Sequence, residues 1–266
     1  MIISLWARHQ GVSSKEAVTW THSRSRGDGF LVRYDKQYDE RNGDKYVTDK
    51  TLFFDFDGTI ADSERGIVDS IKYMVHERQM RPLTDAQYRT WIGPSLTYSI
   101  NQFYPELDAA AVDRAIESYR VYYEARGIFE ADLYAGITDS LRALRNQGFR
   151  TAVASSKPEA MVARLVDHFD LGTLFDGVYG ASMDEHTRVK KADVLAYAMR
   201  NQRAGQAHSV MIGDRFTDIK GGQANGVKTL GVTYGFGDRQ ELVDAGANKV
   251  VDHTQQLVDG STVLAG

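Results

Sequence analysis

The chain has 266 residues, which suits one main domain with an insertion or a tail, and its apolar fraction of 42% is enough to build a core. It has no cysteine, which excludes disulfides, thiolate chemistry and cysteine-ligated zinc, and its net charge of −4 gives no signature of nucleic-acid binding. No apolar run approaches the roughly 18 residues that span a bilayer, so we expect a soluble protein without a membrane partner. We further expect it to be cytoplasmic, to be a monomer or a homodimer, and to bind no nucleic-acid polymer.

Residues 1–49 differ from the rest of the chain. They are polar and charged, with no sustained period of two or of 3.6. We predict that they form a poorly ordered or loosely docked extension. Their basic residues, Ser and Thr resemble an organelle transit peptide, but Glu16 and the acidic residues from Asp28 onward argue against one. An upstream start codon or an added leader sequence explains them equally well.

From residue 50 onward, short apolar runs alternate with helical patterns. Buried strands are predicted at 51–56, 149–154, 177–180, 209–213 and 227–232, with a weaker one at 249–252. Apolar residues at helical spacing predict helices at 138–146, 160–169 and 191–200. This alternation predicts an α/β fold with a Rossmann-like core, in which helices cover both faces of a parallel sheet.

One interval is too long for a single crossover helix. More than ninety residues separate the first two predicted strands, with helical patterns at 66–78, 85–92 and 111–124. We predict a small α-helical cap inserted at 66–131, with 50–65 and 132–266 forming the α/β core. Its aromatic residues are interpreted as cap core rather than as a platform for a nucleobase; they include Trp91, Phe103, Tyr119, Tyr122 and Tyr123.

Three of the predicted strands end in residues that can carry chemistry. The first ends in Asp55 and Asp57, the second in Ser155 and Ser156, and the fourth in Gly213 and Asp214. In an open parallel sheet, ligands bind beyond the carboxyl ends of the strands, so these groups are expected to converge. Asp218, and either Lys190 or Lys191 at the start of a helix, can reach the same place.

Carboxylates this close repel one another unless a cation lies among them. Hard oxygen ligands suit Mg²⁺. Beside such an ion, Asp55 can attack a phosphoryl group, and Asp57 can protonate the leaving oxygen and later activate water. Gly58 permits the tight turn that brings both carboxylates to the phosphate.

Four segments resemble the motifs of the haloacid dehalogenase superfamily of phosphotransferases, in the order of that family. They are D-F-D-G-T at 55–59, Ser155 in V-A-S-S-K-P, Lys191 in V-K-K-A-D-V-L, and G-D-R-F-T-D at 213–218. The resemblance covers about 51–258.

The resemblance implies a role for each motif residue. Asp55 would carry an aspartyl-phosphate and Asp57 would act as acid and base. Ser155, Lys191 and Thr59 would bind the phosphate. Mg²⁺ would be held by Asp55, the backbone carbonyl of Asp57 and Asp214, with Asp218 supporting the metal from the first or second coordination shell. Arg65, Gly93 and Ser95 match cap and hinge positions that face the substrate, although Arg65 also suits a surface ion pair.

Asp57 narrows the reaction, because dehalogenases of the superfamily lack an acid there and its P-type ATPases carry Thr. The region from residue 211 onward resembles the phosphoglycolate-phosphatase-like branch, and within it the bacterial 5′-nucleotidase-like members. Departures are Ser156, where relatives often have Asn, and Gly221-Gly222, where Ala is common. We therefore predict a Mg²⁺-dependent phosphatase of a small phosphorylated metabolite, a nucleoside 5′-monophosphate or 2-phosphoglycolate. The alternatives are a sugar phosphomutase and a non-catalytic phosphate-binding protein.

Overall fold

A six-stranded parallel sheet forms the centre of the computed structural model, which describes residues 50–183 and 187–266. Its order is β5-β4-β1-β6-β7-β8. The strands are β1 (Thr51–Phe54), β4 (Arg150–Pro158), β5 (Gly177–Ala181), β6 (Ser209–Gly213), β7 (Lys228–Val232) and β8 (Lys249–Val251). Two short strands, β2 (Ala61–Asp62) and β3 (Asp132–Leu133), form a separate antiparallel pair. The predicted parallel α/β fold is confirmed, and the predicted extension at 1–49 lies outside the described residues.

Helices cover both faces of the sheet. They are α5 (Ile137–Asn146), α6 (Glu159–His168), α7 (Lys191–Gln202), α8 (Phe216–Ala224), α9 (Arg239–Asp244) and α10 (Leu257–Ala265). Successive side chains of β1 point to opposite faces, so Phe54 packs in the cluster that contains Leu141 and Leu257, while Phe53 packs in the cluster that contains Val194. The continuous apolar run in β1 follows from burial on both faces.

Between β2 and β3 lies a helical segment of four helices: α1 (Glu64–Glu77), α2 (Asp85–Arg89), α3 (Leu96–Phe103) and α4 (Ala109–Ala125). Helix α1 packs against α4. The aromatic residues predicted to form the cap core pack together here: Trp91 stacks on Phe103 with ring centroids 5.7 Å apart, and Tyr119 stacks on Tyr123 at 5.3 Å. The division of the chain into cap and core at residues 66 and 131 stays a prediction. Within the described residues, no helix is long and apolar enough to cross a membrane.

Candidate active site

The register of three adjacent strands brings the motif residues together. Phe54 of β1 pairs with Val153 of β4 on one side and with Ile212 of β6 on the other. The residues that follow therefore leave the same edge of the sheet side by side. Asp55 continues the pairing, because its backbone N–H donates to the Ile212 carbonyl at 2.9 Å.

Three buried carboxylates meet at this edge. One side-chain oxygen each from Asp55, Asp214 and Asp218 lies within 4.8 Å of the others. Burial raises the pKa of Asp214 well above its usual value, and the charges of Asp218 and Asp55 raise it further. Burial also raises the pKa of Asp55, and Lys191 opposes that shift. A divalent cation with a preference for oxygen ligands would relieve this repulsion, so the donor set fits Mg²⁺.

The three carboxylates include those of Asp55 and Asp214, two of the predicted metal ligands. The carboxylate of Asp218, expected in the first or second shell, lies among the three, whereas the carboxylate of Asp57 does not. Asp57 was predicted to contribute its backbone carbonyl, and that contribution stays a prediction.

The turn after β1 is shaped to admit the Asp214 carboxylate. Gly58 has φ +79°, and a Cβ atom at this position would lie 2.1 Å from Asp214 Oδ2. Asp214 accepts hydrogen bonds from the Phe236 backbone N–H at 2.8 Å and from the Thr59 hydroxyl at 3.2 Å. Thr59 thus holds an acidic residue in this structure, and its predicted contact with phosphate stays a prediction.

Lys191, and not Lys190, lies in the site. Its Nζ is 2.8 Å from Asp55 Oδ1 and 2.8 Å from Asp218 Oδ1, and it donates to the Ala154 carbonyl at 3.2 Å. Burial alone would lower the pKa of Lys191, but the two carboxylates raise it above its usual value, so the ammonium is charged. Lys190 is exposed. The site therefore has a fixed positive charge next to Asp55.

The two candidate serines occupy different places. Ser155 is buried, and its hydroxyl hydrogen-bonds to Asp55. Ser156 is half-buried and lines the cavity beside the site. The preference for Ser155 as the phosphate-binding serine stays a prediction.

Asp57 is held by two residues that the motif comparison did not assign. Its Oδ1 accepts a hydrogen bond from Ser63 Oγ at 2.6 Å and another from Lys157 Nζ at 2.9 Å. Ser63 is the N-cap residue of α1, yet its side chain makes no capping hydrogen bond. Lys157 also donates to the Tyr123 hydroxyl at 2.5 Å, and its Nζ lies 4.8 Å from the centroid of that ring. The sequence signal that could have indicated Lys157 is its position directly after Ser155 and Ser156.

A cavity of about 80 Å³ lies between the sheet edge and the helical segment. Asp57 and Lys157 line it from one side, and aromatic residues, including Trp91 and Tyr119, line it from the other. Gly93 and Ser95, two of the predicted substrate residues, also line it. Arg65, the third, is not part of its lining: it is exposed and borders a separate surface depression rich in acidic residues.

Arg215 was also missed in the sequence. It follows Asp214 directly, its Nη1 donates to the backbone carbonyl of Ile92 in the helical segment, and its Nε donates to Glu241 at 2.9 Å. Arg215 therefore joins the loop after β6 to the wall of the cavity.

Comparisons with known proteins agree with this geometry. Residues 52–232 match the family described as haloacid dehalogenase-like hydrolase. The chain is 32% identical over 191 residues to a 5′-nucleotidase of Pseudomonas aeruginosa, covering 72% of this chain and 86% of that protein. It is 37% identical over 207 residues to the tyrosine-protein kinase PtkA of Mycobacterium tuberculosis, covering 77% and 69%. A phosphoglycolate phosphatase of Pseudomonas fluorescens is 26% identical over 216 residues, covering 79% of each chain.

Solved structures give the same result. A protein described as a predicted phosphatase from Clostridium acetobutylicum matches with a TM-score of 0.78 and 36% identity. The match covers 81% of this chain and 99% of that one.

Proposed function

This chain belongs to the haloacid dehalogenase-like hydrolases and is a phosphatase, and we propose that it hydrolyses a small phosphomonoester through an aspartyl-phosphate on Asp55, with Mg²⁺ as its cofactor. The observation that carries the proposal is the contact of Asp55 with Lys191 inside a group of three buried carboxylates. A nucleophile, a fixed cation and a donor set for a metal stand together at one strand end.

The first step transfers the phosphoryl group to the protein. A carboxylate oxygen of Asp55 attacks phosphorus, and the bond from phosphorus to the ester oxygen breaks. Asp57, which lines the adjoining cavity, gives its proton to the departing oxygen, so that the product leaves as an alcohol. Lys191 and the Ser155 hydroxyl stabilise the negative charge on the phosphoryl oxygens.

The second step releases phosphate. Asp57, now a carboxylate, takes a proton from water, and the water oxygen attacks phosphorus. The bond from phosphorus to the Asp55 oxygen breaks, inorganic phosphate leaves, and both aspartates return to their starting state.

The carboxylates of Asp55 and Asp214, with the Asp57 backbone carbonyl and the Asp218 carboxylate beside them, would hold Mg²⁺. When bound, the ion supplies positive charge that neutralises the phosphoryl oxygens. Lys191 remains the protein's own contribution to the same task.

The helical segment acts as a cap in this proposal. Ligand sites for small molecules commonly have volumes of roughly 300–1,000 Å³, and the cavity of about 80 Å³ is smaller. We infer that the segment moves away for a substrate to enter and closes to exclude water. A nucleoside 5′-monophosphate is the first candidate substrate, since the relative named 5′-nucleotidase is 32% identical to this chain. 2-Phosphoglycolate is the second, on the basis of the relative named for it.

Release of inorganic phosphate from a panel of phosphorylated metabolites tests the proposal. The wild-type protein should release phosphate with Mg²⁺ and lose that activity in EDTA. Asp55→Asn keeps the size of the side chain but removes the nucleophile, so turnover should fall to background. Asp113→Asn, which removes an exposed carboxylate on α4, serves as the control.

Other outcomes would contradict the proposal. Turnover by Asp55→Asn at the wild-type rate would exclude an aspartyl-phosphate on that residue. Isomerised sugar phosphate without free phosphate would indicate a mutase. Because one relative is named a tyrosine-protein kinase, ATP with a tyrosine peptide forms a further arm, and phosphotyrosine without phosphate release would indicate kinase activity.

A further inference from the structure

The contacts of Asp57 determine which of its oxygens is free to transfer a proton. Among residues 50–183 and 187–266, both hydrogen bonds to this carboxylate are to Oδ1, one from Ser63 and one from Lys157. An oxygen that already accepts two donors has little capacity for a further hydrogen bond. Within these described residues, Oδ2 is therefore the oxygen of Asp57 that the two donors leave free.

Lys157 is held in place from two sides. The residue is the penultimate one of strand β4 and is buried, and its Nζ lies between Asp57 Oδ1 and the Tyr123 hydroxyl. A buried ammonium group is costly unless it is paired and hydrogen-bonded. The Asp57 carboxylate supplies the charge, and Tyr123 supplies an acceptor and the face of its ring, 4.8 Å away.

The two partners of Lys157 belong to different parts of the protein. Asp57 follows β1 of the sheet, whereas Tyr123 lies on α4 of the helical segment. The contact with Tyr123 exists only while that segment lies over the sheet edge. Lys157 thus connects the position of the segment to the orientation of Asp57.

We propose that Lys157 is a positioning residue that fixes the Asp57 carboxylate for proton transfer from Oδ2, and that Tyr123 completes this arrangement only when the helical segment is closed. The inference rests on the proposed function. It deepens that function, because proton transfer becomes efficient only after the site has closed over its substrate.

The dependence of rate on the leaving group separates this role from a merely structural one. A poor leaving group, such as the alcohol of an alkyl phosphate, needs protonation, whereas 4-nitrophenolate departs without it. In Lys157→Met, kcat/KM for an alkyl phosphate should fall at least about tenfold, within the roughly 10²–10⁴-fold contribution of a general acid. For 4-nitrophenyl phosphate it should fall much less. Lys220→Met, an exposed lysine on α8, should leave both values unchanged.

Tyr123→Phe provides a gentler second variant that keeps the ring and the lysine. It should change the leaving-group dependence in the same direction, by a smaller factor. In the double variant it should add nothing to Lys157→Met, because both residues act through the same carboxylate. Tyr98→Phe, at an exposed tyrosine of the same segment, is the matched control.

Two results would overturn the inference. One is an equal loss of kcat/KM for both substrates in Lys157→Met; the other is full additivity with Tyr123→Phe. A crystal structure of Lys157→Met gives a readout independent of activity: the Asp57 carboxylate should rotate, and an unchanged orientation would refute the proposal. If the wild-type protein releases no phosphate, the proposed function fails, and the crystal structure still decides the role of Lys157.

Discussion

At the scale of single residues, the site depends on one position that only glycine can occupy. Gly58 separates the two catalytic candidates from Thr59, and its φ of +79° is in the left-handed region. The space that its Cβ would fill is occupied by the Asp214 carboxylate. The conformation of the turn and the approach of the acidic group therefore both require glycine.

Although Gly58→Ala adds only one methyl group, it should strongly lower the rate of phosphate release. The new methyl group would displace Asp214, and a misplacement of about 1 Å can cost roughly 10²-fold in rate. We expect a loss of that order in phosphate release, together with a lower melting temperature. Gly205→Ala is the control, because its Cβ would meet no atom within 4 Å and the residue has φ −79°. Wild-type activity in Gly58→Ala would show that the close approach to Asp214 does not matter.

At the scale of elements, the strands could be predicted from sequence because each is a short apolar run, and those in the middle of the sheet are buried on both faces. All six predicted strands have counterparts in the sheet, with ends shifted by up to four residues. The helices at 138–146, 160–169 and 191–200 have counterparts in α5, α6 and α7. Helix α3, by contrast, was not predicted, and α2 ends at Arg89 rather than at residue 92.

Helix α8 was missed because its sequence disfavours a helix. Two consecutive glycines, Gly221 and Gly222, lie in its last turns. Tertiary packing explains them: a Cβ on Gly222 would lie 2.3 Å from Thr229 of β7, and one on Gly221 would lie 2.7 Å from Lys191. The helix can approach the sheet and the site lysine only without these side chains, so packing prevails over local propensity.

In the site, too, some residues could be predicted from local sequence patterns and others depend on tertiary packing. Residues at strand ends could be predicted, because the sheet itself brings Asp55, Ser155 and Asp214 together. The contacts of Lys157 with Tyr123 and of Arg215 with Ile92 could not, since Tyr123 and Ile92 lie in the helical segment, at sequence separations of 34 and 123 residues. How that segment folds back over the sheet edge is not encoded in any short motif.

One prediction concerns the loop between α1 and α2. The buried hydroxyl of Tyr104, just after α3, donates to the Arg81 carbonyl in this loop at 2.6 Å. Tyr104→Phe should lower the free energy of unfolding at pH 8 by about 1 kcal/mol, as expected for one hydrogen bond. Urea denaturation measures this loss, and Tyr98→Phe, at an exposed tyrosine, should show none.

The loss should depend on pH in a defined direction. Burial raises the pKa of Tyr104 from 10.0 to about 12. A folded-state pKa above the unfolded one means that the stabilisation is complete below about pH 10 and is lost as the pH rises toward about 12. The difference between wild type and Tyr104→Phe should therefore shrink between these values. A difference that stays constant to pH 12 would contradict the assignment.

At the scale of the whole molecule, the position of the helical segment is linked to the charged residues of the site. Arg215 and Lys157 each join the sheet edge to the helical segment, and each lies beside an acidic residue of the site. The contacts that join the helical segment to the sheet edge are thus made by residues that also adjoin the carboxylates of the site. Displacing the segment should disturb these residues as well as admit a substrate.

Repulsion among the buried carboxylates should also lower the melting temperature of the metal-free protein. Because the pKa of Asp214 is raised on folding, the stability this group contributes is present below its unfolded value of 3.8 and is lost as the pH rises. Asp214→Asn removes that charge. At pH 7 and in EDTA, the variant should melt higher than wild type, by about 2–4 °C for each kcal/mol of repulsion relieved. Near pH 3 the gain should disappear.

With Mg²⁺ present, the wild type should instead melt at a higher temperature than Asp214→Asn. An ion that binds only the folded state stabilises it by mass action, so the wild-type melting temperature should rise with Mg²⁺ concentration, while Asp214→Asn should respond weakly and release no phosphate. Asp113→Asn should behave as wild type in both conditions. Equal Mg²⁺-induced shifts in wild type and Asp214→Asn would show that the ion binds elsewhere. A lower melting temperature for Asp214→Asn in EDTA would show instead that the hydrogen bonds from Phe236 and Thr59 outweigh the repulsion.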